Sequence, residues 1–398
     1  VKVAYVVHRY GAEVVGGAEQ AYRSFAERLV AGGWEVEVFT TCARDGADWV
    51  DQYPAGTVDV NGVTVYRFPS RAGRDPEFHR LSDVVLPNPA AASVADQQQW
   101  IEMQGPVNPD ALDAAVAADP DIAVFYPYLY WPTVRGVGRF RGRAVMHPAA
   151  HDEAPIRLPL FREVFTAASG LVFQTPSEAR MVQRMFPVGL TPQILLGLGV
   201  DRSPGEPERF RAESGVGDRP FLLCLGRVDD GKGSTVAHRF FTAYKARHPG
   251  PLALVFAGPV VDQPPDHPDV FVTGPVDEAA KWGALESARA LLAPSPYESF
   301  SIVLMEAWTA GIPILTNAAC VVTREHCRRS GGGLWFDGFG SFEAALDLLG
   351  GTGGLAADLA QRGLAYVQRD YLWPGIMGRY RAFLSSIAER GAPLRSPA

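Results

Sequence analysis

The chain opens on VKVAYVV, an unbroken run of apolar and β-branched residues, the pattern of a strand buried on both faces of a parallel sheet. A loop containing Gly16-Gly17 follows. Ala18 to Ala31 then carries apolar residues at helical spacing until Gly32-Gly33 stops it. WEVEVFTT restores the strand pattern, so the opening reads as a βαβ unit. In TVDVNGVTVYRFP two strand-like runs flank Asn61-Gly62, the signature of a tight hairpin. Residues 71–115 are rich in Pro, Ala and Gln with weak periodicity, and only helical pieces can be placed there. IAVFYPYLY, RAVMHPAA and SGLVFQT are each short, apolar and followed by a helical pattern.

The stretch DRSPGEPERFRAESGVGDRP is polar and rich in Gly and Pro, and it reads as a linker. A second series begins at PFLLCLG and runs through LALVFAG, VFVTG, ARALLAPS and IPILTN, each alternating with helix-like sequence. Such alternation predicts parallel sheets covered by helices on both faces. Ligands of such sheets bind at the carboxyl ends of the strands, so the residues just after each strand are where chemistry is expected.

Composition narrows the class. The 398 residues suffice for two domains, and 47% hydrophobic with 20% charged residues is the make-up of a globular enzyme. A net charge of −7 offers no nucleic-acid surface, so an anionic ligand needs a local cluster of cations. Cys42, Cys224, Cys320 and Cys327 show neither metal-ligand spacing nor a disulfide framework, which fits reduced thiols in a cytosolic protein. No apolar run reaches a membrane span and no signal peptide is visible, so a cytoplasmic location is expected.

Two segments carry the candidate chemistry. In LGRVDDGKGS, Arg227 and Lys232 fall in the loop at the end of PFLLCLG, with glycines that let the backbone turn. Two fixed cations are what a diphosphate leaving group requires when no metal neutralises it. From Gly226 to Lys232 the segment nearly matches a nucleotide-binding P-loop, but Gly233 stands where the metal-binding hydroxyl belongs. In APSPYESFSIVLMEAWTAGIP, Glu298 precedes a helix beginning near Ser301. Ser299, Phe300 and Ser301 thus place backbone N–H groups at a helix N-terminus, where anions bind. Glu306 shares a face with Ser299 two turns along, and a carboxylate there can accept both hydroxyls of a ribose. Glu306 sits in an apolar stretch, IVLMEAW, and needs a partner.

GRVDDGKG, the two glutamates with their EAWTAGIPIL tail, and Gly16-Gly17 together resemble the retaining glycosyltransferases of family 4. The resemblance implies the GT-B fold: α/β, two Rossmann-like domains facing across a cleft and closing over the donor. It places an acceptor-side domain at 1–205, completed by a terminal helix at about 375–398, and a nucleotide-sugar domain at 206–374. It implies metal-independent transfer from a nucleotide-diphosphate sugar, with no cofactor. By match, Arg227 and Lys232 resemble the diphosphate pair, Glu298 the residue contacting the donor sugar, and Glu306 the ribose ligand. Gly17 resembles the glycine approaching the donor phosphates or acceptor. The family's active-site histidine has two matches in RAVMHPAAHDEAP, and His151 followed by Asp152 is nearer the pattern than His147. In LLGLGVD, Gly199 and Asp201 resemble structural turn residues, and Pro374 marks where the last helix would bend or start.

Other features have plainer readings. Arg135, Arg139, Arg141 and Arg143 form a solvated basic edge, with peripheral contact to anionic lipid or a phosphorylated acceptor as the alternative. Asp229-Asp230 and the pair Asp119 and Asp121 read as surface rather than metal ligands. Trp131 and the tyrosines beside it read equally as aromatic core and as a sugar-stacking surface. A nucleotide-sugar 2-epimerase of the same architecture is a rival, although it needs further acid/base carboxylates. A donor-binding partner subunit without activity is another, and a dehydrogenase fails for want of G-x-G-x-x-G. The base, the sugar and the acceptor (sugar, lipid-linked or small molecule) are not set by these motifs.

Overall fold

Continuously apolar runs form the centres of two parallel sheets in the computed structural model, which describes residues 1–14, 16–351 and 353–391. The chain divides into two units. Unit 1 comprises Val1–Gly197 together with the terminal segment from Met377, and unit 2 comprises Leu198–Ile376.

In unit 1, β1 (Lys2–Val7), β2 (Glu35–Thr41), β3 (Gly56–Val60) and β4 (Val63–Phe68) come first. They are followed by β5 (Ile122–Tyr126), β6 (Ala144–Met146), β7 (Gly170–Phe173) and β8 (Gln193–Leu195). The sheet order is β3-β4-β2-β1-β5-β6-β7-β8, parallel except for the β3–β4 hairpin. Asn61 and Gly62 have φ of 55° and 84°, the paired positive values a two-residue turn of this hand requires. Helix α1 (Gly17–Ala31) completes the opening βαβ unit, with Tyr22, Phe25 and Leu29 buried. The region 71–115, where the sequence offers only helical pieces, contains α2 (Phe78–Val85), α3 (Val94–Gln104) and most of α4 (Pro109–Ala117). Trp100 and Ile101 bury against the sheet residues Phe39 and Phe125 in one core. The helices α5 (Trp131–Gly136), α6 (Leu160–Ala167) and α7 (Pro176–Met185) alternate with the later strands.

The predicted linker is in part a helix, α8 (Pro207–Ser214). Its sequence is polar, but Phe210 is buried against Phe221 with ring centroids 5.9 Å apart. Arg211 also donates to the carbonyls of Gly217 and Ser287, which fastens the helix to its neighbours. One buried aromatic and one arginine fork therefore order a segment whose composition suggests a tether.

Unit 2 alternates β9 (Phe221–Leu225), α9 (Ser234–Arg247), β10 (Ala253–Ala257), β11 (Val270–Val272), α10 (Glu278–Ser287) and β12 (Ala290–Ala293). It continues through α11 (Ile302–Thr309), β13 (Ile314–Asn317), α12 (Val321–Ser330) and β14 (Gly333–Phe336). Helices α13 (Phe339–Gly350), α14 (Leu355–Asp370) and α15 (Trp373–Gly391) end the described chain. The sheet order is β11-β10-β9-β12-β13-β14, all parallel. Pro374 lies in the first turn of α15, where its missing N–H costs nothing. Residues 392–398 of the expected terminal helix lie outside the described residues. A side chain at Gly199 would run into the ring of Trp373, which accounts for the glycine.

In both sheets the first strand pairs on each side with a strand whose connection runs the opposite way. β1 lies between β2 and β5, and β9 lies between β10 and β12. Loops leaving such a strand diverge and open a crevice at its carboxyl end. The two crevices coincide with the loops after Val7 and after Leu225.

Candidate functional site

In unit 2, β9 delivers Gly226 with φ of +130°, a conformation that excludes most side chains. Its backbone approaches Gly258 so closely that a Cβ on Gly258 would strike the Gly226 carbonyl. The chain then turns through Arg227 to Lys232 and enters α9 at Gly233, φ +79°, where a Cβ would strike the Pro294 carbonyl. Gly233 is therefore a packing requirement, which explains sterically why no hydroxyl follows Lys232.

Asp229 holds this turn together. Sequence reading placed it at the surface, but only 7% of it is exposed. One carboxylate oxygen accepts from Arg227 Nε, and the other accepts from the Lys232 backbone N–H at 2.6 Å. Asp230, by contrast, is exposed as expected. A short acid that caps its own loop is a recognised way to fix a turn. Arg227 stays more than half exposed, so its remaining donors face solvent.

Lys232 reaches out of this loop to the one after β12. Its Nζ lies 2.7 Å from Glu298 Oε1, joining two motifs that are 66 residues apart in sequence. Beyond Glu298 the backbone passes through Ser301, which holds φ of +67° immediately before α11. Left-handed backbone at a residue with a Cβ is disfavoured and clusters at functional turns. Phe300 turns its ring inward onto His326 and Tyr371, centroids 5.2 and 5.3 Å away, so only its backbone is left to meet a ligand. Burial pushes the His326 imidazole down to about 3, which keeps it neutral beneath the loop.

Glu306 has its partner in Lys281 of α10, with Nζ 2.7 Å from Glu306 Oε1. Lys281 also reaches Glu278 at 2.8 Å. Burial raises the Glu306 carboxyl above its usual range, and the Lys281 charge opposes that rise. The sequence demanded a partner for Glu306 without identifying it. The available signal was Lys281 itself, a lysine between the buried residues Ala280 and Trp282.

In unit 1, the loop after β1 is anchored by a buried triad. Glu19 Oε1 lies 3.0 Å from His8 Nε2 and accepts from Arg9 at 2.5 and 2.8 Å. Burial favours the neutral acid, but the His8 and Arg9 contacts outweigh it and hold Glu19 at about 2. Gly17 opens α1, and a Cβ there would meet nothing within 4 Å. Steric crowding by the protein thus does not explain Gly17, and the space beside it is open.

The two histidines after β6 differ. His147 is buried, its Nε2 3.0 Å from the Tyr380 hydroxyl, and burial alone pushes its imidazole down to about 3. His151 is about one-third exposed and lies 3.4 Å from Glu153. Between them Ala149 has φ of +51°, and the Ala150 N–H donates to the buried Glu178 at 2.8 Å. Glu178 also accepts from the Gln174 N–H at 2.7 Å, so this acid ties the histidine loop to the end of β7. Sequence reading missed it, since a glutamate in the first turn of a helix is ordinary.

The basic edge is largely neutralised. Arg135, Arg139 and Arg143 pair with Glu102, Asp113 and Asp119 at 2.7, 2.6 and 2.6 Å. Asp121 accepts from the Lys2 backbone N–H at 2.8 Å. Tyr126, Tyr128 and Trp131 are buried, which assigns them to the core and leaves Tyr130 partly exposed. The four cysteines are free and buried. Among the described residues, no helix is long and apolar enough to cross a membrane.

Residues 206–349 match the family model described as Glycosyl transferases group 1. A glycogen synthase of Mycobacterium tuberculosis is 25% identical over 341 residues, covering 79% of this chain and 78% of that protein. Among solved structures, sucrose-phosphate synthase from Thermosynechococcus elongatus superposes with a TM-score of 0.73 at 17% identity, covering 97% of this chain and 100% of that one. The Anabaena protein HepE, solved in complex with UDP and glucose, gives a TM-score of 0.63 at 15% identity, covering 97% and 99%. With the glycine turn, the paired glutamates and two parallel sheets in this order, residues 206–349 carry the group 1 glycosyltransferase domain, and the chain has the GT-B fold of these solved structures.

Proposed function

We propose that this glycosyltransferase moves a sugar from a nucleoside-diphosphate sugar to an acceptor hydroxyl with retention of configuration, and that unit 2 holds the donor. The observation that carries the reading is the 2.7 Å contact between Lys232 and Glu298. It brings the two motif loops together at the carboxyl end of β9, where a doubly wound sheet binds its ligand. Arg227 and Lys232 then neutralise the diphosphate, aided by backbone N–H groups from Ser299 to Ser301. Glu298 steadies the lysine and contacts the sugar, while Glu306 takes the ribose hydroxyls through the oxygen that Lys281 leaves available. Gly226 and Gly17 let phosphate approach the backbone, and His151 attends the transferred sugar. His147 is too deeply packed for that role.

HepE's complex with UDP and glucose makes UDP the natural first probe. Calorimetric titration of UDP should give saturable binding to the wild-type protein that weakens at least tenfold in Arg227→Ala and in Lys232→Ala. Equal affinity in all three proteins would remove the diphosphate assignment.

A further inference from the structure

The carboxyl edge of β1 and β4 in unit 1 gathers guanidinium groups that the protein does not neutralise. Arg9 and Arg71 are paired there, with Glu19 and with Asp110 at 2.5 and 3.0 Å. Arg67 and Arg74 have no carboxylate partner among the described residues, and the Nε of each is buried without a hydrogen bond. Arg67 is only 8% exposed and is committed to the loop after β1. Its guanidinium lies 3.7 Å over the Tyr53 ring, and it reaches the Tyr10 carbonyl at 3.3 Å. Arg74 is different. It is half-buried, its guanidinium sits 5.4 Å from the Trp49 ring and 5.3 Å from the Phe78 ring, and among the described residues no hydrogen bond fixes its outer nitrogens.

Beside Arg74 stands an aromatic wall. His8 and Tyr130 lie 4.4 Å apart, His8 and Trp49 5.4 Å, and Trp49 and Tyr130 5.2 Å. His8 is 1% exposed, and its Nδ1 has no hydrogen-bond partner among the described residues. Trp49, 2% exposed, and His8 form the floor behind Arg74, and the partly exposed Tyr130 is the ring that can meet a sugar. A half-buried guanidinium with no carboxylate at ion-pair distance among the described residues loses hydration that the more distant Asp48 only partly offsets, and its planar fork is shaped for a carboxylate or phosphate. The loops after β1 also diverge here, which is where a doubly wound sheet takes a ligand.

We propose that this edge binds the acceptor, and that the acceptor carries an anionic group, a phosphate or a carboxylate, gripped by Arg74 beside Tyr130, with the buried Trp49 ring behind the guanidinium. The inference rests on the transferase reading for the word acceptor, but the anion site itself does not depend on how the donor binds. The competing account is that Arg74 is a packing residue whose charge is satisfied by the Trp49 and Phe78 rings alone.

The test uses the full chain labelled with 5-fluorotryptophan, with the Trp49 fluorine resonance assigned through Trp49→Phe. Sodium phosphate, sodium acetate and sodium chloride are titrated at equal ionic strength, with UDP present to occupy unit 2. Phosphate or acetate should shift the Trp49 signal saturably while chloride does not, with half-saturation at least tenfold weaker in Arg74→Gln and partly restored in Arg74→Lys. A response to phosphate alone identifies a phosphorylated acceptor, and a response to acetate alone a carboxylated one. The other tryptophan resonances report whether each variant is folded. No saturable shift in the wild type, or an unchanged one in folded Arg74→Gln, overturns the proposal in favour of packing. Failure of UDP to bind would instead strike the donor reading, and the anion titration repeated without UDP would stand by itself.

Discussion

Lys281 Nζ lies 2.7 Å from Glu306 Oε1, with both side chains mostly withdrawn from solvent. The lysine supplies the charge that allows a carboxylate to remain ionised in the apolar stretch IVLMEAW. An ionised carboxylate accepts two ribose hydroxyls, whereas a protonated one must spend an oxygen as a donor. On the proposed reading, in which Glu306 takes the ribose, Lys281 is a positioning residue that acts through Glu306.

Removing the lysine should uncouple the two effects. Lys281→Met leaves a buried acid without its cation, costing on the order of 3 kcal/mol of stability. It also drives the Glu306 carboxyl further up, because burial is then unopposed except for Glu278, which pushes the same way. UDP affinity of the variant should therefore be weakened near neutrality and recover as pH rises and Glu306 ionises. Glu306→Gln should show no such recovery and should discriminate less between UDP and 2′-deoxy-UDP, the lost charge-assisted bond being worth roughly 1.5–3 kcal/mol. Calorimetry across pH checks both, and parallel pH curves for wild type and Lys281→Met would refute the coupling.

For the phosphate loop, Arg227→Ala and Lys232→Ala should each lower turnover by on the order of 100-fold, the usual result of losing one preorganised charge-stabilising group. Asp229→Asn is a subtler probe. It keeps the shape of the side chain but weakens the hold on both Arg227 and the Lys232 backbone N–H, so turnover should fall less than in either cation variant. A stopped assay for nucleoside diphosphate release, corrected for folded protein, measures all three. Near-wild-type turnover in both cation variants would count decisively against the loop's role.

Transfer should also persist in EDTA, because Arg227, Lys232 and the N-terminus of α11 supply the positive potential a leaving diphosphate needs. The same release assay with and without chelator decides this. Loss of activity that magnesium or manganese restores would mean that an acid of this loop serves a metal after all.

Much of this was legible in the sequence, and what was not has physical causes. The central strands announce themselves because burial on both faces requires uninterrupted apolar runs, as in VKVAYVV and PFLLCLG. The edge strands β8 and β14 are three and four residues long and half-exposed, so they leave no comparable run. Gly226, Arg227, Lys232 and the two glutamates stood out because charged residues beside glycines directly after an apolar strand are what a donor site calls for, and the structure places Lys232 against Glu298. Their supports were not visible. Asp229, Lys281 and Glu178 act through contacts between 2 and 28 residues away in the chain, and a lone charged residue carries no mark of its partner. The polarity of α8 misled for the reverse reason, since one residue, Phe210, decides its fate.

The loop after β1 should make unit 1 acid-labile in a defined window. Glu19 is held at about 2 against an ordinary 4.5. A depressed acid contributes stability that is fully present above its unfolded value and lost as pH falls from about 4.5 towards about 2. With that gap the contribution is on the order of 3 kcal/mol. Glu19→Gln should lower stability at neutral pH and flatten the acid limb of a denaturation series. Buried, neutral His147 adds a separate loss between about 6.5 and about 3, because only the unfolded chain can protonate it there. A Glu19→Gln curve parallel to wild type between pH 5 and pH 3 would show that the Arg9 and His8 contacts contribute nothing.

Stereochemistry gives the most exacting test of the mechanism. An inverting enzyme needs a base on the sugar face opposite the leaving group, to take the acceptor's proton as it attacks. Neither histidine after β6 suits that duty. His147 is buried and bonded to Tyr380, and His151 lies 3.4 Å from the Glu153 carboxylate. Arg227 and Lys232 instead favour a route in which the departing diphosphate stays held, so that its oxygen can assist the incoming hydroxyl on the same face. Bond formation and bond breaking then share one side of the sugar, and an α-linked nucleotide sugar yields an α-glycoside. On this route His151 stabilises the sugar and is not indispensable, so His151→Ala should keep measurable activity while Glu298→Ala loses far more. Proton NMR of the first-formed product, taken before any mutarotation, reads the anomeric configuration directly. A β-linked product from an α-linked donor, or complete inactivity of folded His151→Ala, would require a base that this arrangement does not provide.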